Sequence, residues 1–287
     1  MNRRRFLQIS AAALCAGARA QAAPWTGQAF GAEIALDLRG GVRNRQDMRA
    51  IRDEIQEIEN TFSLYRESEL TRLNATGRCR PSAAMSEVLA LSRRVHLATL
   101  GAFDPTVQPL WDALANGNSG ASLRAKIGFE TVRVAADIRL GPGQALTLNG
   151  IVQGYAADRV RDLLVARGYS DVLVDMGEFA AIGGPFDLGV SDPSAGLLAR
   201  LQLRDGRAMA TSSPGALALP GGSHILGPQG QLPRWSTVTV EAKSAALADA
   251  ASTAFVLMER DEIARSAARL GLDAVHLVDF DGNYGPL

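Results

Sequence analysis

Asp249 and Thr253 stand four residues apart in the run Ala248-Asp-Ala-Ala-Ser-Thr-Ala254, so on a helix both side-chain oxygens project from one face. Their neighbours are small and apolar, where an unpaired carboxylate is costly. A hard cation relieves that cost, because magnesium takes oxygen ligands, few of them from protein, and keeps positions for phosphate and water. The plainer alternative is a carboxylate satisfied by a nearby threonine. In Asn149-Gly-Ile-Val-Gln-Gly-Tyr-Ala-Ala-Asp158, Gly150 and Gly154 bracket a helix start. There the backbone can approach a ligand closely, and free N–H groups favour a phosphate. Of the three histidines, His96 falls within a helix pattern and His276 within a strand, both structural positions. His224, in Ser223-His-Ile-Leu-Gly-Pro228, falls on a glycine-flanked loop, where catalytic groups tend to be placed. Asp104, in Gly101-Ala-Phe-Asp-Pro-Thr-Val-Gln-Pro-Leu-Trp111, precedes a proline that forces it extended, so its carboxylate leads into the next element. It can serve a ligand or simply cap the helix after Pro105.

The elements around these residues are readable from hydrophobic periodicity. Ala32 to Leu38 alternates as a strand, and Met48, Ile51, Ile55, Ile58 and Phe62 mark one buried helix face. A helix is expected from Ala83 to Leu100, stopped by Gly101, and a strand from Val132 to Leu140, ended by Gly141-Pro142-Gly143. Gln153 to Arg167 reads as a helix closed by Gly168, with a buried strand at Val172 to Val174 behind it. Phe186 to Val240 is strand-rich, with turns at Asp192-Pro193, Asp205-Gly206 and Gly221-Gly222. Helices over Ser244 to Met258 and Asp261 to Leu270, then a strand from Ala274 to Phe280, complete the chain. The class is α+β, with a mixed, largely antiparallel sheet and helices packed on it.

The 287 residues carry a formal net charge of zero and only 6% aromatics. Neither a phosphate-neutralising basic surface nor a base-stacking platform is available, which argues against nucleic acid as a partner. The first residues differ from the rest. Arg3, Arg4 and Arg5 precede Phe6-Leu7 and a short apolar run from Ile9 to Ala16, and Ala18-Arg19-Ala20 and Ala20-Gln21-Ala22 look like cleavage sites. Residues 1–22 therefore read as an export signal of the twin-arginine type rather than a membrane span, and residues 23–287 as the exported domain. That places the protein in the periplasm or cell envelope, with no membrane span in the mature chain. Cys79 is then the one remaining cysteine, so no internal disulfide is expected.

Taken in order, these segments resemble the FAD:protein FMN transferase family, the ApbE-type flavin transferases. The likeness runs from about Gln28 to Met258 and includes Ser63-Leu-Tyr-Arg-Glu-Ser-Glu-Leu-Thr-Arg-Leu-Asn74, similar to the family's early S-x-Y…S-E-L-x-R-x-N stretch. The resemblance implies transfer of FMN from FAD to a Ser or Thr hydroxyl of an acceptor protein, a redox or respiratory component, with Mg2+ as cofactor and AMP as leaving group. It implies flavin contacts from Phe30 and Tyr65, and FAD contacts from Ala102, Phe103, Asp104, Thr147, Gln153 and Ile225. It implies metal ligation by Gly150, Asp249 and Thr253, and His224 as the base. Three positions depart from the family pattern: Gln153 stands where many members have lysine, Thr147 where aspartate is frequent, and Gly227 replaces the aspartate of the usual H-I-I-D-P. These departures keep two alternatives open, a Mg-dependent FAD pyrophosphatase and a non-catalytic FAD-binding or storage protein.

Overall fold

The computed structural model describes residues 24–39 and 44–287. The expected export signal, residues 1–22, lies outside the described residues. Eight strands form the main sheet: β1 (Trp25–Ala29), β2 (Ala32–Leu38), β3 (Val172–Asp175), β4 (Phe179–Ile182), β5 (Ala208–Ser212), β6 (Thr237–Ala242), β7 (Ala274–Val278) and β8 (Tyr284–Pro286). They lie side by side in chain order, and every neighbouring pair is antiparallel. The α+β reading stands, with the sheet antiparallel throughout.

Helices cover one face of this sheet: α1 (Arg45–Phe62), α2 (Glu69–Thr76), α3 (Ala83–Ala98), α4 (Gln108–Ala115), α5 (Asn149–Ala166), α6 (Ala245–Phe255) and α7 (Arg260–Leu270). The other face is covered by a hairpin of strands Phe186–Asp192 and Gly196–Leu203. At the middle strands both faces are therefore dry. Val172 and Val174 of β3 point into the large helix-side core, while Leu173 joins Phe179, Phe186, Leu188, Leu203 and Met209 in the smaller one. Alternation along a strand sends successive side chains to opposite faces, so a doubly covered strand reads as a continuous apolar run. The α1 face reads as expected, with Met48, Ile51, Ile55, Ile58 and Phe62 all buried. No helix among the described residues is long and apolar enough to cross a membrane.

Three elements differ from the sequence reading. The single strand expected at Val132 to Leu140 is instead a tight reversal, Arg133–Val134 against Ile138–Arg139. Only Val132 and Ile138 of that stretch are buried, so nothing holds its centre against a core. α3 stops at Ala98, because Leu100 and Gly101 take left-handed φ values of 53° and 85°. α5 starts at Asn149, four residues before the expected Gln153, with only Gly150 departing from helical geometry at φ −86°, ψ 24°.

α6 is buried on almost every side because its residues are nearly all small. It lies between α5 and strands β5 and β6. Two contacts lock α5 to it. Asp158 of α5 accepts hydrogen bonds from Ser244 Oγ and from the Ala245 and Ala246 N–H groups, capping the α6 N-terminus. Gly154 of α5 packs so closely that a Cβ there would lie 2.2 Å from the Ala245 carbonyl oxygen. Gly154, expected to open a helix for ligand approach, is thus a packing glycine.

Gly154→Ala should therefore destabilise the protein. Alanine's helix propensity contributes about 1 kcal/mol in its favour, but the obstacle is rigid backbone, and overpacking of this kind costs about 1–3 kcal/mol or more. The net loss, read as a lower urea midpoint with an unchanged slope, is the expected result; a higher midpoint would contradict the packing.

Candidate active site

All the residues expected at the site except Phe30 line one cleft, which encloses about 1070 Å³ of empty space, part of it open to solvent. Phe30 sits outside the lining, at the β1–β2 turn, with φ 54° and its N–H donating to Glu59 Oε1 at 3.0 Å. Tyr65, in the loop between α1 and α2, is 61% exposed at the cleft.

The floor is acidic. Asp249 is buried on α6, and its Oδ2 accepts from the Gly154 N–H at 3.1 Å. In a regular helix that N–H would bond the Gly150 carbonyl; here Gly150 also leaves helical geometry, so the helix holds that carbonyl less firmly. Thr253, one turn from Asp249, lies against Gly150: a Cβ on Gly150 would come within 2.9 Å of Thr253 Oγ1. The hydroxyl is also 3.3 Å from Ser212 Oγ. Carboxylate, hydroxyl and backbone carbonyl make an all-oxygen donor set, which suits Mg2+ rather than a softer metal.

A second buried carboxylate joins them. Glu178 follows Gly177 (φ 95°) in the turn between β3 and β4, lines the same cleft, and accepts from the Thr211 N–H at 2.9 Å through Oε2. Sequence reasoning missed it. The available signal was an acidic residue in a tight turn between two apolar runs, Val172–Val174 and Phe179–Ile182. Trp111 was missed as well, although it closes a segment already singled out.

Asp104 works mainly as the cap that the sequence left as an alternative. Its Oδ1 accepts from Thr106 N–H and Oγ1, and its Oδ2 from the Phe129 N–H at 3.0 Å, while its side chain still borders the cleft. His96 braces the same segment, with Nδ1 2.9 Å from the Phe103 carbonyl. His96, Asp104 and Glu130 could formally hold a metal ion, since their ligand atoms lie within 4.8 Å of one another. Yet Asp104 and Glu130 approach opposite ring nitrogens, and the nitrogen beside Asp104 is already spent on Phe103. The group is a structural brace. His276 is structural too, stacked on Tyr284.

His224 is half-buried on the loop after the Gly222–Ser223 strand. Its Nδ1 lies 3.0 Å from the Leu217 carbonyl. A carbonyl can only accept, so Nδ1 carries the proton and Nε2 keeps its lone pair. Burial lowers the pKa of this imidazole below the usual 6.5, which keeps it neutral at pH 7. Gly227, where the resemblance expects aspartate, has no room for one: a Cβ there would lie 2.1 Å from the Gln231 carbonyl oxygen. Thr147 accepts from the Asn149 N–H at the start of α5, and the Gln153 amide lies so close to Gly177 that a Cβ there would meet it at 2.4 Å.

The fold and this cleft define an α+β protein with one antiparallel sheet and an acidic-floored cleft beside it. The ApbE family model matches residues 30–276, and the chain belongs to the ApbE family. A Rhodobacter capsulatus FAD:protein FMN transferase is 25% identical over 286 residues, covering 88% of this chain; the chain spans about 55% of that relative's length. Among solved structures, the flavin transferase ApbE from Vibrio cholerae superposes with a TM-score of 0.78 at 23% identity, over 92% of this chain and 96% of that one. The ApbE protein from Thermotoga maritima reaches 0.81 at 22% identity, over the same shares. At these identities the structural likeness establishes the fold.

Burial pushes the Asp249 carboxyl from the usual 3.8 up to about 7, against the lowering effect of the Gly154 N–H. Burial, then the neighbouring Asp249 charge, raises Glu178 as well. The folded chain thus keeps protons that the unfolded chain releases. The stability this contributes is present below about 3.8 and is lost as pH rises through about 7. In EDTA, the native melting temperature should fall relative to that of Asp249→Asn between about pH 4 and pH 8. Parallel curves for the two proteins would refute the burial of an unpaired carboxylate.

Proposed function

We propose that this chain is an exported, Mg2+-dependent FAD:protein FMN transferase. In this reading it moves FMN from FAD to a Ser or Thr hydroxyl of an acceptor protein, a redox or respiratory component of the envelope, and releases AMP. The observation that carries the reading is one cleft holding both an all-oxygen donor set and a half-buried, neutral histidine whose Nδ1 is held by the Leu217 carbonyl. The name of the Rhodobacter capsulatus relative supports the same activity. The N-terminal Arg3-Arg4 with Phe6-Leu7 and the small-residue exit support export.

Asp249, Thr253 and the Gly150 carbonyl would hold Mg2+, which when bound screens the charge of a pyrophosphate and of the phosphoryl group in transfer. The rest falls to the chain. The segment Ala102 to Asp104, braced by His96, forms one wall for the dinucleotide, with Tyr65 and Trp111 offering aromatic surface. His224 Nε2 accepts the proton of the attacking hydroxyl, while the Leu217 carbonyl holds the ring through Nδ1. The new bond joins the acceptor oxygen to the FMN-side phosphorus; the pyrophosphate P–O bond breaks, and its electron pair leaves with AMP.

Purified protein, FAD, Mg2+ and a Ser/Thr acceptor should yield AMP and covalently bound FMN in equal amounts. AMP with free FMN would assign hydrolysis instead, and FAD binding without AMP would assign storage. His224→Ala should slow single-turnover transfer by about 10² to 10⁴ with FAD affinity unchanged. The native rate should decline on the acid side, with a midpoint below the usual histidine value of 6.5. A variant that transfers at the native rate would remove His224 as the base.

A further inference from the structure

The cleft meant for an anionic dinucleotide has a floor of the same charge sign. Asp104, Glu178 and Asp249 contribute carboxylates to the lining, and no lysine or arginine is among the described residues that do. Asp104 is fully engaged with backbone and hydroxyl donors, but the other two are not. Glu178 is 4% exposed and takes one hydrogen bond, through Oε2 from Thr211; Asp249 is 4% exposed and takes one, through Oδ2 from Gly154. Among the described residues, no hydrogen bond reaches either remaining oxygen, and both side chains line the same cleft. Two half-satisfied carboxylates facing one cleft are unfavourable as a charged pair unless protons or a cation neutralise them, and a cation can do so at neutral pH while leaving both oxygens as ligands.

We infer that Glu178 is a ligand of the divalent cation alongside Asp249, so that the site binds the cation before any FAD arrives and FAD enters only the cation-loaded cleft. This rests on the transferase reading for the identity of the dinucleotide, but the cation site itself stands on the geometry above. One or two carboxylates with the remaining positions left to water and phosphate is how Mg2+ is usually held beside a nucleotide. The Gly177 turn aims Glu178 inward, and the Thr211 N–H fixes one oxygen while leaving the other free. Gln153 packs over Gly177 as a neutral amide, so no side-chain cation there competes for Glu178.

The test is Mn2+ binding to FAD-free protein, followed by electron paramagnetic resonance, for native, Glu178→Gln and Asp249→Asn chains. Glutamine keeps an acceptor for the Thr211 N–H, and each variant's EDTA melting curve reports folding independently. The native chain should bind one Mn2+, and each substitution should weaken it at least tenfold. FAD titrations add a sign that a merely structural role would not produce: Glu178→Gln should bind FAD more tightly than native in EDTA and more weakly with Mn2+. Native-like Mn2+ affinity in Glu178→Gln, with Asp249→Asn impaired, would overturn the assignment and leave Asp249 as the cation ligand. Absence of Mn2+ binding by the native chain without FAD would overturn cation-first loading. Intact Mn2+ binding with no FAD affinity under any condition would instead overturn the transferase reading and leave the cation site standing.

Discussion

A carboxylate held out of water on α6 is the constraint around which the molecule is arranged. Asp249 can be there only because its helix is made of small residues, which let α5 and two strands close over it. The same closeness requires Gly154, where any side chain would meet the Ala245 backbone, and it turns the Gly154 N–H toward the carboxylate. One turn earlier, the irregular backbone of Gly150 comes to rest beside Thr253. Packing and chemistry share their causes here: the contact that joins the two helices also brings Asp249, Thr253 and Gly150 to the same cleft.

Much of this was legible in the sequence, and the parts that were not share a physical reason. Spacing of four on a helix was enough to pair Asp249 with Thr253, because local geometry alone decides it. The α1 face and the strand Ala32 to Leu38 were legible for the same reason. The role of Gly154 was not, since a glycine needed for tertiary approach looks identical to one needed at a helix start. Glu178 comes from a turn far from α6 in the chain, and only the sheet register of β3, β4 and β5 carries it to Asp249. The stretch Val132 to Leu140 misled because alternation promises a strand only where a partner buries it.

His224 shows how a departure from the family pattern can be absorbed. The loop tightens at Gly227, with Gly230 N–H bonded to the Gly227 carbonyl and Arg124 reaching the same oxygen. An aspartate has no space in that turn, so it cannot be the group that orients the imidazole. The Leu217 carbonyl does so instead. A backbone acceptor fixes the tautomer as firmly as a carboxylate would, but adds no charge to raise the ring's basicity. The result is a histidine whose pKa burial holds below the usual 6.5, which favours the neutral form that can accept a proton.

The same reasoning applies to Gln153 and Thr147, both neutral where the family pattern is often charged. Thr147 supports the first turn of α5, and Gln153 packs against the Gly177 turn. Neither offsets the acidic floor. Charge balance in this cleft is therefore left to something that arrives from solution rather than to a built-in lysine. A lysine's charge is permanent, whereas a cation's occupancy varies with its concentration and with competing protons. On the proposed reading, an exchangeable balancing charge would make dinucleotide affinity depend on divalent-ion activity, and would couple both to the two buried carboxylates that the packing of α6 first made possible.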